Sequence, residues 1–289
     1  MLKSLLTIVR WPNLLIVGGI QAIVFYTLTT YDQSRMIMPE VLLLIFVTLC
    51  ITAGGNVIND YYDSDIDQVN RPRSWVVGNT LSKSIVLTIY KAIILVGAIG
   101  AFFFAYRLHL LLYFPIYLIA VVGLQIYSTH LKCKPVVGNL LVATYCGAVV
   151  LIMVVPDILL HNRQIVNPQF WYYIFFAFLI TFFREIIKDI EDHTGDQQFK
   201  CQTFAVRYGL KNGKILASVA GCVALASLLF WENSQANRWV SLGLVVLQGS
   251  VVGALALLWY GKDASYYHKA STLIKLVMVA GTLLLFAQY

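Results

Sequence analysis

Nine of the fourteen acidic residues in this 289-residue chain fall in two short stretches: Asp60, Asp63, Asp65 and Asp67, then Glu185, Asp189, Glu191, Asp192 and Asp196. The first stretch reads Asn59-Asp60-x-x-Asp63-x-x-x-Asp67 and the second Asp189-x-x-Asp192-x-x-x-Asp196. Each is followed four positions later by a cation, Arg71 or Lys200, and every equivalent pair is separated by 129 residues. On a helix, residues four apart share a face, so Asp63 would sit one turn from Asp67 and Asp192 one turn from Asp196, with Asn59 one turn before Asp63. Stacked like charges repel and call for a cation. Mg²⁺ suits them, because it takes one or two carboxylates and keeps places for water and phosphate oxygens. The chemistry expected is therefore a metal–diphosphate site, with Asp63, Asp67, Asp192, Asp196 and Asn59 as metal ligands. Asp60 and Asp189 complete the pattern as expected substrate-binding residues, and Arg71, Lys132, Lys188, Lys200 and Arg207 are cations available to the remaining phosphate oxygens. Asp65 and Glu191 point off the common faces and are expected to be solvated.

Two other readings compete. A single aspartate in such a position is most simply a solvated charge or a helix cap, but a doubled pattern with shared spacing is poorly explained that way. An ion-coupled transporter also places acids in a membrane, though usually near its midplane at broken helices.

The elements that must position these acids are membrane helices. The chain is 59% hydrophobic and 12% charged, about half the charged share of roughly 25% found in soluble domains, and its mean hydropathy is +0.75. Apolar runs long enough to span a bilayer recur throughout. Nine spans are expected, over about 12–31, 39–60, 84–106, 108–127, 136–156, 168–188, 213–231, 238–260 and 270–288. They form one domain over residues 1–289. The repeat of the acidic pattern predicts two pseudo-repeated halves facing each other. The first apolar run, from Trp11, lacks a small-residue cleavage site and reads as a span rather than a signal peptide. Trp11, Trp171, Trp231, Trp239 and Trp259 stand near span ends, where an interfacial aromatic belt belongs.

Charge fixes the expected orientation. Fifteen Lys and Arg residues fall in the N-terminal segment and the alternate loops on its side, and four in the loops opposite. That asymmetry predicts a cytoplasmic N-terminus, an outer C-terminus and both acidic motifs at the cytoplasmic face, in a cell inner membrane. The net charge of +7 is explained by this topology, and no nucleic-acid partner is expected, because the cations do not cluster with aromatics on a polar surface. Cys50, Cys133, Cys146, Cys201 and Cys222 show no zinc spacing, and no disulfide framework is expected from them.

The motif residues resemble the UbiA-type intramembrane prenyltransferases. Asn59–Asp67, followed by Asn70-Arg71-Pro72, is similar to that family's NxxxDxxxD motif, and Arg184–Asp196 to its DxxxD motif. Arg10-Trp11-Pro12-Asn13 resembles the entry to the family's first helix. Tyr127-Ser128 through Leu131-Lys132, Pro135 and Gly138-Asn139 resembles its helix 4–5 loop. Gln202-Thr203 through Arg207-Tyr208-Gly209 resembles the stretch after the second motif.

The resemblance implies an all-α membrane protein of nine helices around a central cavity, which transfers a prenyl group from an isoprenyl diphosphate to a lipophilic acceptor with Mg²⁺. By motif, Asn59, Asp63, Asp67, Asp192 and Asp196 would serve the metal–diphosphate site. Lys132 would contact diphosphate, Tyr127 would lie near the reacting allylic carbon, and Arg10 and Asn13 would bind substrate. One departure is visible: many members write the Tyr/Lys pair as YxxxK, whereas Tyr127 and Lys132 are five apart.

The run REIIKDIEDHTGD is most similar to the ether-lipid branch, whose members alkylate geranylgeranylglyceryl phosphate. Members that alkylate 4-hydroxybenzoate usually carry Tyr-Asp where this chain has Arg184-Glu185. The acceptor expected is accordingly a phosphate-bearing glycerol ether, alkylated on oxygen. C-prenylation of an aromatic quinone precursor is the alternative.

Overall fold

The computed structural model describes residues 2–31, 36–70, 72, 75–161 and 168–287. Among them the regular structure is helical, with one isolated bridge between Val77 and Leu81. Fourteen α-helices run in chain order as α1 (Leu2–Ile8), α2 (Trp11–Tyr31), α3 (Met38–Tyr62), α4 (Ser64–Asn70), α5 (Lys83–Arg107), α6 (Tyr113–Ile126), α7 (Val137–Leu151), α8 (Val155–His161), α9 (Pro168–Glu191), α10 (His193–Gln198), α11 (Phe204–Tyr208), α12 (Leu210–Asn233), α13 (Arg238–Tyr260) and α14 (Ala264–Ala287). A π-helical turn, Tyr127–Leu131, continues α6.

Among the described residues, seven helical stretches are long and apolar enough to cross a membrane: Trp11–Thr29, Met38–Tyr62, Lys83–Arg107, Tyr113–Leu131, Phe170–Glu191, Leu210–Asn233 and Arg238–Tyr260. The protein is an integral membrane protein. Of the nine expected spans, 136–156 corresponds to α7, which is apolar but only 15 residues long. The last expected span, 270–288, lies largely within α14, a 24-residue helix carrying Lys269 and Lys275.

The chain divides into two compact units, Met1–Leu131 with Ile152–Gln164, and Lys132–Leu151 with Ile165–Tyr289. In the first unit α3 packs along α5 at a seam of small residues. A Cβ on Gly97 would lie 2.8 Å from the Cβ of Cys50, and one on Gly54 would lie 2.6 Å from Ile94. Helices in lipid gain little from hydrophobic exclusion, so close backbone approach of this kind is what holds them. At the acidic end of α3, Ile8, Val57, Val77, Leu81 and Val86 form a buried cluster with Tyr61 packed against it. This cluster ties α1 and the loop after α4 to the first motif.

In the second unit α9 packs against α7, α12 and α14. Phe170, Tyr173, Phe176, Ile180, Phe183, Ile187 and Ile190 recur at helical spacing and are buried, as an apolar stripe on one helix face requires. Gly221 and Gly281 give Phe183 and Phe176 their room, since a Cβ at either would come within 3 Å of the ring. Of the tryptophans expected in an aromatic belt, Trp11, Trp171, Trp239 and Trp259 are exposed, whereas Trp231 is 1% exposed. Trp231 packs on Tyr173 and Phe176, with ring centroids 6.4 and 5.8 Å away. Its place at a helix end hid a core role set by tertiary packing.

Candidate active site: two acidic helix breaks

Each acidic motif is built as a break in a long helix. α3 runs to Tyr62, Asp63 interrupts it, and α4 resumes at Ser64; α9 runs to Glu191, Asp192 interrupts it, and α10 resumes at His193. The two breaking residues have the same backbone, φ −87°, ψ 0° at Asp63 and φ −84°, ψ 1° at Asp192. The hydrogen bonds across the breaks also correspond. Asp63 N–H donates to Asn59 C=O at 2.9 Å and Asp67 N–H to Asp63 C=O at 2.8 Å; Asp192 N–H donates to Lys188 C=O at 2.8 Å and Asp196 N–H to Asp192 C=O at 3.1 Å. The ladder is thus kept while the axis is free to turn, so two acids four apart stand on consecutive turns of two helices.

The first aspartate of each motif is held by a side chain from another element. Arg10 Nη2 donates to Asp60 Oδ1 at 2.6 Å, and Asn139 Nδ2 donates to Asp189 Oδ2 at 3.0 Å. Both partners lie 50 residues before their aspartate, so the 129-residue offset reaches back to Arg10 and Asn139. Asn139 was absent from the expected site. Extending the offset beyond the acids was the signal that would have found it. Arg10 is steered onto Asp60 locally. It closes α1 with φ 54°, a left-handed conformation that costs a non-glycine residue roughly 1 kcal/mol or more. Asn56 Nδ2, donating to Val9 C=O at 3.0 Å, pins the same segment to α3.

The oxygens of the first motif suit a hard cation. Asn59 Nδ2 donates to Asp63 Oδ2 at 2.6 Å, with Asp63 buried. Asn59 Oδ1 is buried without a hydrogen-bond partner among the described residues. A buried amide oxygen left open beside a buried carboxylate is an oxygen donor pair of the kind Mg²⁺ accepts. Among the described residues no three His, Cys, Asp or Glu side chains gather as a ready-made metal cluster. Mg²⁺ does not need one, since substrate phosphates and water complete its shell. Asp67 is half-buried, while Asp196 is buried with its C=O accepting from Cys201 N–H at 2.8 Å.

The remaining expected site residues are placed as follows. Tyr127 is half-buried and opens the π turn, and Lys132, also half-buried, follows that turn directly. A π turn holds one residue more than an α turn. It therefore takes up the extra residue that separates this pair from the YxxxK spacing. Asn13 is half-buried in the first turn of α2, its N–H donating to Arg10 C=O at 2.8 Å. Lys188 contacts Glu185 at 3.4 Å. Lys200 is exposed in a left-handed turn, φ 58°. Arg207 is exposed and lies over the Tyr208 ring. Arg71 lies outside the described residues. Asp65 is exposed, 3.6 Å from Lys83, as expected. Glu191 is engaged by His268 Nδ1 at 2.8 Å instead of standing in solvent.

One feature runs against the sequence expectation. Cys133 and Cys201 are joined in a disulfide across 68 residues, whereas no disulfide was expected from five scattered cysteines. The two cysteines flank the π-turn loop and the end of the second motif, distant in sequence and adjacent only once α7 and α9 have packed.

Comparison with known proteins identifies the family. Residues 11–278 match the model of the UbiA prenyltransferase family. A digeranylgeranylglyceryl phosphate synthase of Methanoculleus marisnigri is 32% identical over 251 residues, which cover 86% of this chain and 82% of that protein. One of Thermococcus sibiricus is 32% identical over 235 residues, covering 77% and 76%. Among solved structures, a digeranylgeranylglyceryl phosphate synthase in membranes superposes with TM-score 0.69 at 22% identity, over 99% of this chain and 97% of that one. A UbiA homologue from Archaeoglobus fulgidus, bound to DMAPP and Mg²⁺, superposes with TM-score 0.61 at 12% identity, over 98% and 99%. The chain belongs to the UbiA prenyltransferase family and is an intramembrane prenyltransferase.

Proposed function

We propose that this enzyme transfers a geranylgeranyl group from its diphosphate to the free hydroxyl of geranylgeranylglyceryl phosphate, an O-alkylation in ether-lipid synthesis. Two findings support the acceptor: relatives named for that product and Arg184-Glu185 on α9. The observation that carries the donor reading is the pair of matching acidic breaks, with the open Asn59 oxygen beside Asp63.

Asn59, Asp63, Asp67, Asp192 and Asp196 would hold Mg²⁺, which when bound neutralises the diphosphate and makes it a better leaving group. The chain's own groups do the rest. Arg10 and Asn139 hold Asp60 and Asp189 in place. Lys132 and Lys200, together with Arg71, supply positive charge for diphosphate oxygens as the C1–O bond of the donor breaks. Tyr127 flanks the allylic carbon, and the glycerol hydroxyl adds to C1 as diphosphate departs, its proton passing to the released diphosphate or to water. Arg10 and Asn13 would bind substrate.

We further propose that all nine expected segments cross a membrane in two pseudo-repeated halves around one cavity, in a cell inner membrane. The N-terminus and the acidic motifs lie at the cytoplasmic face and the C-terminus outside. The charge asymmetry of the loops supports this orientation. The shared spacing, shared backbone breaks and shared 50-residue partner separation support the repeat.

Incubating the purified protein with labelled geranylgeranyl diphosphate, Mg²⁺ and a panel of acceptors tests the reading. The expected product is digeranylgeranylglyceryl phosphate, identified by mass spectrometry. A prenylated aromatic ring in its place would overturn the acceptor and leave the donor chemistry standing.

A further inference from the structure

Helix α9 is a candidate membrane span with one polar face over its last turns. At about 100° per residue, Arg184, Lys188, Asp192, Glu185 and Asp189 fall within roughly 140° of arc. Phe183, Ile186, Ile187 and Ile190 occupy the opposite arc and are buried. Lipid is a poor neighbour for such a stripe, and ionisable residues within a span mark a functional path.

The stripe has an internal order. Glu185 is buried; one oxygen accepts from Arg184 Nη1 at 2.8 Å and the other lies 3.4 Å from Lys188 Nζ. A single carboxylate thus braces two cations, while Asp189 on the same stretch is engaged by Asn139. Arg184 Nε is buried and donates to nothing among the described residues. A guanidinium with an open N–H edge beside a lysine offers a fork and a point charge, the pairing that suits a tetrahedral oxyanion.

We propose that Arg184 and Lys188, braced by Glu185, form a subsite for the phosphate of the acceptor, separate from the acidic motif that carries the donor's diphosphate. The inference rests on the reading that the acceptor bears a phosphate. The helix supplies the separation: Lys188 and Arg184 lie one and two turns before Asp192, about 6 and 12 Å along the axis. Two mutually repelling anions are kept apart at that distance. A glycerol hydroxyl, a few bonds from its own phosphate, falls in the interval between them.

The test is steady-state kinetics of the full chain in detergent with geranylgeranyl diphosphate, Mg²⁺ and geranylgeranylglyceryl phosphate, for the wild type, Arg184→Gln, Arg184→Lys and Lys188→Gln. The KM for the acceptor should rise about tenfold or more in Arg184→Gln, with the donor KM unchanged. Arg184→Lys should recover part of the loss, because lysine restores charge without the fork. Binding of labelled geranylgeranyl diphosphate, measured on each variant, reports that the fold and donor site persist; should Arg184→Gln fail to bind it, Arg184→Lys carries the comparison. A rise in donor KM alone would reassign the cations to the diphosphate and overturn the proposal. An unchanged acceptor KM would reduce the triad to a structural ion cluster and overturn it equally. A wild type that alkylates only an aromatic acceptor would instead overturn the function on which the subsite rests.

Discussion

Asp63 and Asp192 adopt one backbone conformation at the ends of two different long helices, each donating its N–H to the carbonyl four residues back and accepting at its own carbonyl from the N–H of an aspartate four residues on. Sequence around them differs, Tyr61-Tyr62 before one and Ile190-Glu191 before the other. What is shared is the turn and the carboxylates it presents, which makes these two residues the natural targets for loss of function.

Asp63→Asn and Asp192→Asn should each lower prenyl transfer by about 100-fold or more, the scale on which removing one well-placed electrostatic group acts. Neither should prevent membrane insertion, because both acids sit at helix ends outside the packed apolar stripes. Product formation together with size-exclusion behaviour in detergent checks both halves of the expectation. Full activity in either variant would remove that acid from the metal site.

Chelation should act through the same residues. EDTA should stop transfer, and added Mg²⁺ should restore it, since the protein offers oxygen ligands with no sulfur or imidazole among the five expected ligands. Activity that persists through exhaustive chelation would leave the acidic breaks without a metal role.

Arg10 and Asn139 position aspartates from outside the motif helices, so their loss should be milder. Arg10→Ala and Asn139→Ala should each lower activity about 10–100-fold, the range for groups that orient site ligands. Asn139→Asp should be at least as damaging, because it sets a second carboxylate against Asp189. Comparable rates for Asn139→Ala and wild type would show that Asp189 needs no such support.

The Cys133–Cys201 bond can be counted directly. Thiol titration of denatured, unreduced protein should find Cys50, Cys146 and Cys222 free and the other two only after reduction. Closing a loop of 68 residues corresponds to about 4 kcal/mol in the chain-entropy account. Cys133→Ser and Cys201→Ser should therefore lower the thermal midpoint in detergent. Five free thiols without reductant would contradict the bond.

Much of the candidate site was legible because its signal is local. Charged residues are costly in a membrane, so two acidic stretches with one spacing stand out against an apolar chain. The spacing alone placed Asp63, Asp67, Asp192 and Asp196 on consecutive turns. Features that depend on packing between distant segments stayed hidden. Asn139 reads as an ordinary polar residue at a helix start until α7 lies against α9. Trp231 reads as a belt residue until Tyr173 and Phe176 enclose it. The helix breaks themselves were also invisible, since neither Asp63 nor Asp192 is flanked by Pro or Gly.

The π turn at Tyr127–Leu131 changes what the tyrosine–lysine signature means. A pattern that demands three positions between these residue types counts letters along the chain. A helix that can swallow one residue in a bulge keeps its downstream surface in phase whatever that count. Motif searches for this loop should therefore tolerate a one-residue gap. Relatives passed over for a mismatched tyrosine would then be recognised by the angular register of their side chains.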